Sequence, residues 1–112
     1  MDNRPAKRFK LPRSIMIKKS GDIKYLLSRG KKISGPTVNL YLRTASEIGV
    51  AVLTPKRIGK AYQRNKMKRL IREIYRKNPT WFSGKKVIFL IKRLNADYAG
   101  LEREIGQMVQ QR

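Results

Sequence analysis

The sequence predicts an α+β sandwich: helices packed against one mixed β-sheet. Three observations carry that expectation. Three stretches repeat apolar residues at the three-and-four spacing of an amphipathic helix, and three others read as strands. The chain has 112 residues, with neither an internal repeat nor a long linker, which suits a single domain, 1–112, with one modest core.

The elements follow in order. Residues 1–14 are polar and basic, and Pro5 and Pro12 discourage regular structure, so an extended, flexible basic arm is expected. Between Ser20 and Arg29, Ile23, Leu26 and Leu27 recur at helical spacing; Asp22 lies in the first turn and Gly30 is placed to end the helix. Gly35-Pro36 marks a turn. Val38 to Arg43 alternates, with Val38, Leu40 and Leu42 on one side and Asn39, Tyr41 and Arg43 on the other, as in a half-buried strand. Ile48 to Leu53 is a more apolar strand, and the short Ala45-Ser46-Glu47 turn makes a hairpin the simplest arrangement. After Thr54-Pro55 and the basic loop Lys56-Arg57-Ile58-Gly59-Lys60, a long helix spans roughly Ala61 to Lys77 and stops before Pro79. Trp81-Phe82 should plug the edge of the core, the alternative being to stack on RNA. Val87 to Ile91 is a continuous apolar run of strand length, suited to a central strand. Asn95 or Asp97 would cap a last helix carrying Leu101, Ile105, Met108 and Val109, with Gly100 and Gly106 weakening it. The order read from the residues is α-β-β-α-β-α.

The long helix carries two messages. Met67, Leu70, Ile71, Ile74 and Tyr75 form one apolar stripe. At roughly 100° per residue, Asn65, Lys68, Arg69, Arg72 and Arg76 then fall on the opposite side. Such a helix packs on a sheet while presenting cations to a phosphate backbone. A merely solvated basic face is the plain alternative, but the whole chain is just as basic. Lys and Arg number 28 against 7 Asp and Glu, a formal net charge of +21. That excess favours polyanionic partners, nucleic acid first.

Catalytic equipment is scarce. The chain has no His and no Cys, which removes the commonest general base, thiolate chemistry, disulfides and most metal sites. Glu73, among Arg69, Arg72, Arg76 and Lys77, is explained by ion pairing one turn away. Glu102 and Glu104 show no paired-carboxylate pattern, and no Walker-type phosphate loop is present. No apolar run approaches about 18 residues, so no membrane partner is expected. Residues Met1 to Arg13 lack the apolar core of a secretory signal, which points to a cytoplasmic setting. Asn65 can both donate and accept, to a phosphate, a 2′-hydroxyl or a metal-bound water. Tyr41 is either presented for stacking on an unpaired base or simply packed in the sheet.

Lys56-Arg57-Ile58-Gly59-Lys60-Ala61 followed by Arg64-Asn65-Lys66-Met67-Lys68-Arg69-Leu70-Ile71-Arg72-Glu73, with Arg29-Gly30 and Ser34-Gly35-Pro36 ahead, resembles the protein subunit of bacterial ribonuclease P. That resemblance implies a mixed four-stranded sheet in the order α-β-β-β-α-β-α, with a left-handed βαβ crossover that general rules would not suggest. It further implies binding of a large catalytic RNA and of precursor tRNA, whose 5′ leader the holoenzyme removes, with no obligate protein partner. Hydrolysis would fall to Mg²⁺ bound mainly by the RNA. By position, Arg64, Asn65, Lys66, Lys68, Arg69 and Arg72 would face the catalytic RNA, and a cleft of Ile23, Leu27, Tyr41, Lys56 and Arg57 would hold the leader. The chain departs from the family at Lys66, where the third motif residue is otherwise Arg, and loses a bidentate fork there. Ile23 and Leu27 stand where the family often has Phe, which leaves apolar contact in place of stacking.

Other functions fit less of the sequence. A basic ribosomal protein with a structural RNA-binding role shares the size and charge. A DNA-compacting protein would show a β-arm or apolar wedge. A membrane-active cationic helix would leave its apolar face free of a partner.

Overall fold

The computed structural model describes residues 15–110, so the basic arm expected over residues 1–14 lies outside it. Helix α1 (Ser20–Arg29) matches its expected bounds, and the N–H of Gly30 closes it by donating to the Leu26 carbonyl at 2.8 Å. Gly30 has extended backbone; the reason for glycine is space, since a Cβ would lie 2.6 Å from the Leu26 oxygen. Strand β1 (Lys31–Ser34) follows at once. It is absent from the order read residue by residue and present in the one the resemblance implies. Only Ile33 of its four residues is buried, so it offers almost no periodic signal.

Strands β2 (Val38–Thr44), β3 (Gly49–Leu53) and β4 (Lys85–Ile91) complete a mixed four-stranded sheet ordered β1-β2-β4-β3. The expected β2–β3 hairpin does not form. β4 lies between the two, antiparallel to β2 from Val38↔Ile91 to Thr44↔Lys85 and parallel to β3 from Gly49↔Lys86 to Leu53↔Leu90. The physical reason is burial on both faces: Val87, Phe89 and Ile91 face one side and Ile88 the other, all at 0 % exposure. A strand apolar on both sides gains most at the centre of a sheet.

Helix α2 (Ala61–Lys77) connects β3 to its parallel neighbour β4. A 3₁₀ turn at Pro79–Phe82 follows, starting on the proline, and drops Phe82 into the core. There Phe82 stacks on Tyr75 and meets Phe89 edge-on, both with centroids 5.5 Å apart. Helix α3 (Tyr98–Gln110) buries Leu101, Ile105, Met108 and Val109, as their spacing predicts. Gly106, a weak point by propensity, makes room for Trp81, whose ring would stand 3.1 Å from a Cβ there.

The two faces of the sheet are covered unequally. Met67, Ile71, Ile74 and Tyr75 of α2, with the stripe of α3, join the main core on one face. On the other, α1 rests on a small cluster of Leu26, Ala51 and Ile88, flanked by half-buried Ile17, Ile23, Tyr41 and Leu53. Glu104 ties α3 to the β1–β2 turn, its Oε2 accepting the N–H groups of Thr37 at 2.9 Å and Val38 at 3.1 Å. Hydrogen bonds to a charged acceptor contribute about 1.5–3 kcal/mol each. Glu104→Ala should therefore cost about 3 kcal/mol, read as a lower urea midpoint with an unchanged m-value. An unmoved midpoint would show that the clamp is energetically idle.

Candidate nucleic-acid interface

Packing fixes what α2 presents outward. With Met67, Ile71, Ile74 and Tyr75 buried, Asn65 and Arg69 are exposed, and Lys68 and Arg72 are half-exposed beside them. None of these side chains turns inward as a residue, although the Nε atom of Arg72 is buried without a hydrogen-bond partner. Arg76 forks onto Glu73, Nε to Oε1 at 3.1 Å and Nη2 to Oε2 at 2.8 Å, and Lys77 Nζ lies 3.4 Å from the same Oε2. Glu73 is therefore an ion-pairing residue, as its neighbours predict, and it neutralises the far end of the ridge. Asn65, Lys68, Arg69 and Arg72 keep the cationic face.

Arg64 departs from the expected pattern. Its Nη1 donates to the carbonyls of Lys56 at 3.0 Å, Ile58 at 3.3 Å and Gly59 at 2.8 Å, which draws the basic loop onto the first turn of α2. Its position on the helix explains this: roughly 60° from Met67, it lies beside the buried stripe. Gly59 adopts φ +60°, and a Cβ there would meet Leu94 Cδ1 at 2.4 Å, so only glycine fits this bend. Gln63 Oε1 accepts the Lys60 N–H at 2.8 Å and so closes the helix start. Lys60 has no acceptor with which to reciprocate, which is why the sequence shows only half of a capping box. Lys66 lies on the opposite flank from Lys68, with Tyr62, facing Leu94, Asn95 and Ala96.

The second candidate region lies between α1 and the uncovered part of the sheet. Ile23 and Tyr41 pack on the same small cluster, and Tyr41 stands on the α1 side between Lys32 and Ile88. Leu27, one turn beyond Ile23, is 36 % exposed. The next row of the same face, Ser34, Asn39, Leu90 and Leu53, runs towards the exposed Lys56 and Arg57 that follow β3. Ile23 and Tyr41 thus share one small cluster, Leu27 lies a turn further along α1, and Lys56 and Arg57 follow the end of the next row. Sequence reasoning missed Asn39, Leu53 and Leu90 there. Asn39 is 6 % exposed, and its Oδ1 has no hydrogen-bond partner.

Little in either region can move a proton. Burial raises the Tyr75 hydroxyl above its ordinary range, and burial first, then Glu102 and Glu73, raises that of Tyr98. Among the described residues no three of His, Cys, Asp and Glu converge on a metal-sized site, and no helix is long and apolar enough to cross a membrane. The arrangement can grip a polyanion.

Fold and surface together define a polyanion-binding α+β sandwich whose crossover helix carries the cations. The ribonuclease P family model matches residues 11–112, and the chain belongs to that family. Among curated relatives, the ribonuclease P protein component of Dictyoglomus turgidum is 42 % identical over 69 residues, 58 % of this chain and 56 % of that one. The component from Clostridium kluyveri is 31 % identical over 84 residues, 69 % of this chain and 73 % of its own. The chain thus spans little more than half of the first relative and about three quarters of the second. The RNase P protein of Staphylococcus aureus shares the fold with a TM-score of 0.75 at 20 % identity, covering 86 % of this chain and 93 % of that structure. The Thermotoga maritima RNase P protein does so with 0.75 at 18 %, covering 87 % and 96 %.

Because Arg64 orders the loop while Arg69 is free, the two should differ when truncated. Arg64→Ala is expected to speed amide exchange at Ile58, whose N–H donates to Pro55 at 3.2 Å, and Arg69→Ala to leave it unchanged. Equal exchange in both variants would remove the loop-ordering role of Arg64.

Proposed function

We propose that this chain is the protein subunit of ribonuclease P, acting with a catalytic RNA to remove the 5′ leader of precursor tRNA. The observation that carries this reading is the outward face of α2, where, among the described residues, Glu73 pairs with Arg76 and Lys77 and leaves Lys68, Arg69 and Arg72, beside Asn65, outside any ion pair. Arginine forks match phosphate oxygens bidentately, lysine adds a point charge, and Asn65 supplies a donor and an acceptor for a 2′-hydroxyl. Lys66 extends the same contact around the flank. Arg64 acts behind this surface, holding Lys56 and Arg57 in place through their loop.

The groove of Ile23, Leu27, Tyr41, Lys56 and Arg57 suits a single-stranded leader, with apolar side chains under the bases and cations beside the backbone. Tyr41 is half-buried, so it offers an edge or part of a face in place of a free platform. Mg²⁺ would be held by RNA phosphates, since the described residues supply no carboxylate cluster of their own. When bound there it activates the attacking water; this chain contributes binding and orientation only. No described side chain favours the ribosomal reading over this one.

Each phosphate neutralised adds about 0.7–0.9 to the slope of log affinity against log salt. The triple variant Lys68→Ala, Arg69→Ala, Arg72→Ala should stay folded, bind the ribonuclease P RNA of its own genome more weakly, and lose about two units of that slope. Unchanged affinity with an unchanged slope would refute the assignment of the α2 face. Leader removal is expected from the reconstituted protein and RNA at low Mg²⁺. Turnover by protein freed of RNA would overturn the division of labour.

A further inference from the structure

A cavity of about 220 Å³ opens beside the first two turns of α2. Tyr62, Lys66 and Met67 form one wall, and Leu94, Asn95 and Ala96, from the connection between β4 and α3, form the other. Its size falls below the roughly 300 Å³ at which pockets begin to enclose whole small-molecule ligands. Its lining is mainly apolar, with Met67 as a buried floor. Tyr62 stands at the rim 67 % exposed, the most open large hydrophobic side chain among the described residues. Asn95 Oδ1 already accepts the Asp97 N–H at 3.0 Å, which leaves its Nδ2 as a donor at the mouth. An exposed aromatic ring over an apolar slot, with an ammonium group beside it, matches the three parts of a nucleotide site: stacking face, base enclosure and phosphate contact.

We propose that this cavity takes one unpaired nucleobase of the RNA held along α2, stacked on Tyr62, with Lys66 on its phosphate. The inference rests on reading α2 as the RNA-binding face, and it adds a base contact to a surface otherwise made of phosphate contacts. Continuity supports it: Tyr62 and Lys66 flank the exposed Asn65, and Lys60 and Arg57 close the same end of the helix. A second copy of this chain is the competing occupant. It is disfavoured because two such surfaces would bring cations against cations without a matching acidic patch on α2, whose only carboxylate is Glu73.

The test compares the full-length protein with Tyr62→Ala, Tyr62→Phe and Lys66→Ala, each bound to the ribonuclease P RNA transcript of the same genome. Stacking is worth about fivefold or more in affinity per base. Tyr62→Ala should lose that much with no change in salt slope, while Tyr62→Phe should retain most of it. Lys66→Ala should lower the slope by just under one unit. Chemical probing should find an unpaired base shielded by the wild type and by Tyr62→Phe, and exposed with Tyr62→Ala. Exposure of Tyr62 makes a folding failure easy to separate, since the melting temperature of Tyr62→Ala should match the wild type. Wild-type affinity and protection in Tyr62→Ala would overturn this proposal and leave the α2 reading intact. A wild-type protein that fails to bind the RNA would overturn both. Loss of a dimer on Tyr62→Ala, with RNA affinity unchanged, would assign the cavity to a second copy and refute the base.

Discussion

The seating of Met67, Ile71, Ile74 and Tyr75 against the sheet decides where every charge on α2 can go. Each such side chain contributes roughly 1.5–3 kcal/mol on burial. Like charges one helical turn apart oppose the helix by only about 0.2–0.5 kcal/mol per pair. Burial therefore prevails, and a chain of net charge +21 tolerates a crowded cationic arc because the opposite stripe is anchored. The same anchoring divides the basic residues by angle. Arg69 and Arg72 lie far from the stripe, beside Asn65; Lys68 and Lys66 take the two flanks; Arg64, nearest the stripe, is captured by the loop.

β4 is the second consequence of apolar burial, and it explains the unequal faces. By entering between β2 and β3 it gives α2 and α3 a wide apolar floor, while the opposite side keeps only Ile88 and its neighbours under α1. A ten-residue helix with a single fully buried side chain, Leu26, cannot cover four strands. The next row on that face, Ser34, Asn39, Leu90 and Leu53, is exposed at Ser34, half-buried at Leu90 and Leu53 and buried at Asn39. Asn39 Oδ1 in that row is buried without a partner, and an unmet buried acceptor forfeits about 1–3 kcal/mol.

Helices were the most legible part of the sequence. α1 and α2 begin and end where spacing, Gly30 and Pro79 place them, because a 3.6-residue period over ten or more residues is a strong signal. Strand pairing was less legible. The short turn after Thr44 suggested a local hairpin, yet the decisive fact was the double-sided apolarity of β4, forty residues away, and no local rule weighs the two. β1 carries one buried residue and was invisible to periodicity. On α2, charge and helical angle predicted the outward placement of Asn65, Lys68, Arg69 and Arg72. They could not reveal that Arg64 turns back on its loop, since that depends on the left-handed bend at Gly59. Tyr62 was equally silent, because its partner surface, Leu94 to Ala96, comes from the far side of β4.

The role of Arg64 bears on how a surface of long, flexible cations binds with any selectivity. Lysine and arginine side chains lose up to about 2 kcal/mol of rotamer freedom when fixed, and an unordered loop adds roughly 1–2 kcal/mol per residue for its backbone. Lys56, Arg57 and Lys60 would bear both losses if their loop were free. Nη1 of Arg64 on three carbonyls, Gln63 on the Lys60 N–H and the unique bend of Gly59 remove the backbone part before any partner arrives. One guanidinium nitrogen of Arg64 is thus spent on ordering the loop that carries its basic neighbours. Loss of Arg64 would then weaken binding through the loop it orders as well as through its own charge.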